Sequence, residues 1–272
     1  MVLEKNLPLS LRLIRQFEFP KKLGICERLY GERLAKLGEC ITTCANGVTW
    51  RLDLSDVGHR WMVYGYYEGG VGIRYAEEKL QDGGVYLDSG ANIGQWISYL
   101  SSIPKVRTYA FEPVPSENEW LKECLSFNSD WEVKVVSLAL GEAQSELKMQ
   151  CSGSRSTFRT DWYQNQNNDV ISVPVERLDT YLAREQVTEV KFWKLDVEGH
   201  EYEALKGAEY LLKNKAIETI YFECHPDNFA KIKSYLASLD YGVYRLSSQG
   251  LASVESHRPS ETENFVAEPL EA

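Results

Sequence analysis

The sequence predicts an α/β protein built on a doubly wound, mixed sheet, and three observations carry that expectation. Val85-Tyr86-Leu87 reads as the end of a buried strand, closed by Asp88 and followed by the turn Ser89-Gly90-Ala91-Asn92-Ile93-Gly94. Trp96, Ile97, Tyr99 and Leu100 then suit the buried face of a helix, so strand, glycine turn and helix N-terminus surround one small crevice with backbone N–H groups. From Gly84 onward strand-like and helix-like segments alternate, the pattern of parallel strands joined by crossover helices. A second acid, Glu112, closes the next strand 24 residues after Asp88.

The elements follow in order. Residues 1–40 mix apolar and basic side chains at helix-like spacing and read as a helical arm. Val48 to Leu54 alternates as a strand and pairs in a small hairpin with Ile41 to Ala45. Tyr64 to Gly70 is an aromatic, glycine-containing link. The arm and hairpin form an extension over residues 1–80, and the main domain covers 81–268. Within it we expect strand 85–88, helix 95–102, strand 106–111, helix 116–126 and strand 133–138. Residues 145–176 interrupt with polar and β-type sequence, suited to substrate recognition. Helix 178–185, strand 190–195, helix 201–213, strand 217–223 and helix 227–239 resume the alternation. Tyr241 to Leu246 and Phe265 to Ala267 form a terminal antiparallel hairpin. The result is a seven-stranded sheet with one reversed strand and a disordered tail beyond Ala267.

The turn does not follow the G-x-G-x-x-G spacing of a pyrophosphate site, because Asn92 stands where a second close glycine is needed. A carboxylate at Asp88 repels a pyrophosphate and suits a ligand bearing an ammonium and a sulfonium, which describes S-adenosylmethionine. Glu112 sits where an acid accepts bonds from ribose hydroxyls. The third strand ends near Ser137 and Leu138, beside the place for adenine.

With these residues the chain resembles the FkbM-like class I methyltransferases, a Rossmann-like fold. The resemblance rests on D-S-G-A-N-I-G (88–94), F-E-P (111–113), S-L-A-L-G (137–141), G-S-R-S-T-F (153–158), V-E-R-L-D (175–179) and K-L-D-V-E-G-H-E (194–201), and runs from about Asp53 to Leu246. It implies methyl transfer from S-adenosylmethionine, usually to a hydroxyl of a small molecule: a sugar, glycolipid or polyketide-like acceptor. Protein or RNA methylation and a nicotinamide-dependent oxidoreductase on a similar sheet are the alternatives.

Asp88, Gly90, Asn92, Gly94, Glu112, Pro113, Ser137, Leu138 and Asp196 are the expected cofactor residues, with Tyr67 and Glu68 at the methionine end. Ligands in open α/β sheets lie beyond the carboxyl ends of strands, which places Asp196 and Glu223 at the same crevice. An alcohol must lose its proton as it attacks, and a positioned carboxylate or imidazole can take it. Asp196, Glu198, His200 and His225 are the catalytic candidates, and the residues do not choose among them. Ser154, Arg155, Ser156 and Glu223 are expected toward the substrate. Lys194, flanked by apolar neighbours, reads as a neutraliser of a nearby acid. Convergence of Asp196, Glu198, Glu223 and His225 on a magnesium or manganese ion is an alternative that the loose spacing does not favour.

A net charge of −10 disfavours a large nucleic-acid footprint. The small basic segment of Arg12, Arg15, Lys21 and Lys22 reads as a solvated face. Six cysteines form no C-x-x-C pair, which suits reduced, mostly buried thiols. No secretory signal or membrane-length apolar run is seen, so a cytoplasmic protein without membrane insertion is expected. A homodimer is left open.

Overall fold

The computed structural model describes residues 6–65, 70–151 and 170–270. These divide into two compact units, Met1–Gly70 with Glu119–Trp131, and Val71–Asn118 with Glu132–Ala272.

In the first unit, helix α1 (Leu9–Ile14) is followed by a helical run of α2 (Lys22–Cys26), a π-turn (Glu27–Gly31) and α3 (Glu32–Ala35). The expected hairpin follows as β1 (Glu39–Thr43) and β2 (Thr49–Asp53), paired antiparallel with Ile41 opposite Arg51. Helix α4 (Val57–Tyr64) starts at Asp56, whose carboxylate accepts from the Gly58 and His59 amides. Leu11, Leu34, Trp50, Leu52 and Met62 are fully buried here. The basic segment is not uniformly solvated. Arg15 is buried and donates to the Thr43 carbonyl at 2.7 Å, and the buried Lys22 ammonium reaches the Arg15 carbonyl at 3.0 Å. Chain folding needs these two cations to satisfy inward-facing carbonyls; Arg12 and Lys21 stay exposed.

The second unit opens with α5 (Gly70–Leu80), β3 (Gly84–Ser89), α6 (Ile97–Leu100) and β4 (Val106–Phe111). Helix α7 (Pro115–Ser126), whose residues from Glu119 onward belong to the first unit, leads to β5 (Glu132–Val136), β6 (Ala139–Leu140), β7 (Ser145–Gln150) and β8 (Val170–Glu176). Then come α8 (Leu178–Arg184), β9 (Phe192–Leu195), α9 (Glu201–Gly207), α10 (Glu209–Lys213) and β10 (Ile220–Cys224). Helix α11 (Pro226–Ser238), β11 (Tyr241–Ser247), β12 (Gly250–Ser253) and β13 (Glu263–Pro269) complete it.

The main sheet runs β12-β11-β13-β10-β9-β3-β4-β5 among the described residues. Pairs from β10 through β5 are parallel, each joined by at least one helix, and β13 inserts antiparallel between β10 and β11. The expected α/β class is therefore what the chain forms, with β12 as an eighth, edge strand. Its burial is low throughout, so it lacks the apolar alternation that marks a strand in sequence. Contrary to expectation the chain just beyond Ala267 is structured: β13 continues to Pro269, and Glu268 accepts from Tyr75 and Thr219 and pairs with Lys79.

Two helices depart from expectation. Helix 95–102 shrinks to Ile97–Leu100, where i→i−4 bonds such as Leu100 N–H to the Trp96 carbonyl mix with tighter i→i−3 bonds such as Tyr99 N–H to Trp96 and Ile103 N–H to Leu100. Helix 201–213 breaks at Ala208, whose φ is −106°. At the break, Gly207 lies against the Gly141 carbonyl so closely that an added Cβ would sit 2.2 Å from it. Asp179 supplies the missing start for α10, accepting from the Tyr210 and Leu211 amides at 3.0 and 3.1 Å. Asp179→Ala should lower unfolding free energy by about 1–2 kcal/mol, read from the shift in urea midpoint; an unchanged midpoint would remove the cap from the account.

The interruption at 145–176 is partly core. β7 and β8 form an antiparallel hairpin joined to β6, and Val114, Ala139, Met149, Val173 and Val175 pack together there. Ser154, Arg155 and Ser156, like Tyr67 and Glu68, lie outside the described residues. Five of the six cysteines are buried and Cys151 is half-buried. No helix among the described residues is long and apolar enough to cross a membrane.

Candidate active site

The site begins with an alternation of left-handed residues. Gly90, Asn92 and Gly94 have φ of 76°, 47° and 81°, which accounts for their spacing: two glycines enter that region at no steric cost and asparagine tolerates it. Asn92 steadies itself by accepting from the Ile93 amide at 2.6 Å. The amides of Gly90 and Ala91 both donate to the Phe111 carbonyl, that of Asn92 to Glu112, and that of Gly94 to the Ala91 carbonyl. Five successive N–H groups are thus spent inside the protein. The expected ring of open amides does not form, and a pyrophosphate would find none of these five to bind.

Glu112 ties the turn to the end of β4. One carboxylate oxygen accepts from Asn92 N–H at 2.8 Å and the other from Val114 N–H at 2.9 Å. Burial pushes its pKa up to about 7 against the lowering effect of these amides. Pro113 is half-buried beside it; Ser137 is exposed and Leu138 half-buried after β5.

Asp88 does not face open solvent. It is 1 % exposed, accepts from the Tyr86 hydroxyl at 3.0 Å, and lies 3.4 Å from the Lys194 ammonium. Register explains the pairing, because Asp88 on β3 stands directly opposite Lys194 on β9. Lys194, itself 5 % exposed, also lies 3.3 Å from Asp196 and donates to the Gly90 carbonyl at 2.8 Å. Burial lowers the Lys194 pKa, but the charges of Asp196 and Asp88 outweigh it and the ammonium is held. Burial raises the Asp88 pKa despite Lys194. One cation therefore binds two acids and the glycine turn together.

Beyond β9 the chain turns through Glu198 and Gly199, both left-handed with φ of 53° and 96°. Glu201 organises this turn: one oxygen accepts from the Val197 and Gly199 amides, each at 3.0 Å, while the other is buried without a hydrogen bond. Its pKa rises to about 7, chiefly through burial. The turn brings carboxylate oxygens of Asp196, Glu198 and Glu223 within 4.8 Å of one another. Oxygen donors of this kind suit a hard divalent cation. Burial first, then the charges of Asp196, Glu198 and Glu201, push the Glu223 carboxyl up to about 9.

The histidines lie outside that group, so the four-residue convergence is reduced to three acids. His225 Nδ1 accepts from the Asp227 amide and caps α11, and its ring stands 3.2 Å from the Asp227 carboxylate. His200 has Nδ1 3.8 Å from Glu203, and its pKa is lowered by burial. Its Nε2 faces Gly141, 3.4 Å from where a Cβ would project. Lys194 neutralises nearby acids, as its place in the buried run Phe-Trp-Lys-Leu predicts, since a buried ammonium needs partners. Sequence reasoning missed Tyr86 and the part Glu201 plays in the turn, because their partners come from the tertiary fold.

Among curated proteins, no sequence matches the chain. Solved structures share the fold. The METTL16 MTase domain (crystal form 2) has a TM-score of 0.50 at 11% identity, covering 93% of this chain and 93% of that one. An rRNA methylase from Streptococcus thermophilus gives 0.44 at 14% identity over 74% and 95%. A SAM-dependent O-methyltransferase from Thermotoga maritima gives 0.41 at 11% over 76% and 66%. A family model described as the methyltransferase FkbM domain matches residues 88–243, from the acid that opens the glycine turn to the penultimate paired strand of the sheet. Spanning more than half of the sequence and every acid of the site, that match makes the chain a member of the FkbM methyltransferase family.

Proposed function

We propose that the protein transfers a methyl group from S-adenosylmethionine to a hydroxyl of a small-molecule acceptor. One observation carries this: a turn whose amides are all consumed is bordered by more carboxylates than its single buried lysine can balance. Such a crevice is poor for phosphates and favourable for a cationic ligand. Gly90 fixes the shape of that crevice: a Cβ there would be 1.8 Å from the Asp196 carbonyl oxygen, so only glycine lets the turn pack against the end of β9.

Gly90, Asn92, Gly94 and Asp196 would hold the methionine end, with Tyr67 and Glu68 as further contributors. Glu112, beside Pro113, keeps lone pairs free for ribose hydroxyls, because each oxygen spends one on an amide. Ser137 and Leu138 would flank the adenine. Asp88 acts through Lys194, holding the turn in shape. When bound, S-adenosylmethionine supplies a methyl group made electrophilic by its sulfonium.

The chain's own task is to align the acceptor oxygen with the methyl–sulfur axis and remove its proton. Asp196, Glu198 and Glu223 form the group suited to that. Burial and the neighbouring acids push the Glu223 carboxyl up to about 9, so it is a strong base once ionised. His225 keeps its Nδ1 for the helix cap and His200 stands toward Gly141, which makes them positioning residues. Ser154, Arg155 and Ser156 are the further candidates for contact with the acceptor.

With Glu223 as base, kcat/KM should rise with pH as the carboxyl ionises, levelling at or below pH 9 because a bound cation lowers its pKa. Glu223→Gln should cost about 10²- to 10⁴-fold in kcat and abolish that rise; a retained alkaline limb would assign the proton to another group. The function itself is tested by calorimetry with S-adenosylhomocysteine and by transfer of labelled methyl to hydroxylated small molecules, proteins and RNA. Binding of NAD in place of S-adenosylhomocysteine would overturn the cofactor, and transfer only to RNA or protein would overturn the acceptor class.

A further inference from the structure

The N-terminal helices expose apolar side chains that the unit they belong to does not cover. Leu9 and Leu13 on α1 are 68% and 60% exposed, and Phe17 just beyond is 66% exposed. On the next helical run Ile25 and Leu29 are 40% and 61% exposed. Both pairs are four residues apart, the spacing of one helix face. On α1 this face is opposite the fully buried Leu11.

Cations frame the same faces. Arg12 lies beside Leu9 and Leu13, and Lys21, Arg28 and Arg33 are exposed around Ile25 and Leu29. From Leu9 to Lys36 five exposed basic side chains (Arg12, Lys21, Arg28, Arg33 and Lys36) stand against the exposed Glu18 and Glu32 and the half-buried Glu27, in a chain whose net charge is −10. The segment is thus the positive, apolar-tipped part of an acidic protein. We propose that this arm docks on a lipid bilayer carrying anionic headgroups.

Charge selects that occupant. A bilayer of this kind offers negative charge at its surface and an apolar layer below it, which matches long basic side chains flanking leucine and phenylalanine tips. A two-fold contact with a second copy would set the same cations against themselves. Docking requires no spanning helix, in keeping with the short helices of the arm, and it would bring the enzyme to acceptors held at a membrane.

The test is co-sedimentation of the full-length protein with vesicles of phosphatidylcholine alone or mixed with phosphatidylglycerol, at low and high salt. Wild type should partition onto the mixed vesicles and be released by salt. Leu13→Asp with Phe17→Asp should reduce partitioning about tenfold or more, as should Arg12→Gln with Arg28→Gln. All four positions are exposed, and an unchanged thermal midpoint confirms folding. No wild-type partitioning, or partitioning that both variants retain, overturns the proposal. A dimer in light scattering that Leu13→Asp with Phe17→Asp dissolves, without vesicle binding, assigns the face to self-association and overturns it too. No readout involves methyl transfer, so failure here leaves the catalytic reading untouched.

Discussion

Gly90→Ala is expected to destabilise the protein by about 3 kcal/mol or more and to remove S-adenosylhomocysteine binding. The first effect has two sources. An alanine at φ 76° takes on left-handed strain of about 1–2 kcal/mol, and its methyl group would sit 1.8 Å from the Asp196 carbonyl oxygen. That neighbour is backbone at the end of a buried strand, so relief requires β3 and β9 to separate, at a typical overpacking cost of about 1–3 kcal/mol. The second effect follows because the same shift moves Lys194 off the Gly90 carbonyl. Urea unfolding and calorimetry read the two separately. A variant with the wild-type midpoint and affinity would show that the turn is not packed against Asp196.

Lys194→Met should be equally severe, by a different route. Removing one partner of a buried ion pair typically costs about 3–5 kcal/mol, because the other charge is left uncompensated. Here Asp88 is that charge, 1% exposed and aided only by the Tyr86 hydroxyl. Adding Asp88→Asn to Lys194→Met should recover much of the loss, since neither charge then remains buried. The pH dependence has a definite sign. The Asp88 pKa is raised in the folded state, so the folded form binds a proton more readily than the unfolded one, and this contribution to stability falls as pH rises. Loss of Lys194 raises that pKa further. The deficit of Lys194→Met should therefore shrink as pH is lowered and grow toward neutrality. Equal deficits at acid and neutral pH, measured by urea unfolding, would point to lost packing rather than a stranded carboxylate.

Much of the frame was legible because it depends on local periodicity. Strand, turn and helix around Asp88 could be read from apolar spacing and two glycines, and the alternation after Gly84 predicted the parallel strands. Errors arose where partners are distant. β12 has no apolar face to betray it, and the extension of β13 to Pro269 depends on Glu268 meeting Tyr75, Lys79 and Thr219 from other elements. Arg15 and Lys22 looked like a solvated face until the carbonyls they satisfy were in place.

By itself the sequence determined the alternation of strands and helices after Gly84, the tight glycine turn and the presence of acids at successive strand ends, because each follows from spacing along one segment. Only the tertiary structure decided what those acids do. Strand register sets Lys194 opposite Asp88 and so turns that acid inward, while the Glu198–Gly199 turn gathers Asp196, Glu198 and Glu223 and leaves His225 capping a helix. The reason is physical: the state of a carboxylate depends on the charge and solvent within a few ångströms of it, and folding brings that surrounding from segments far apart in the chain.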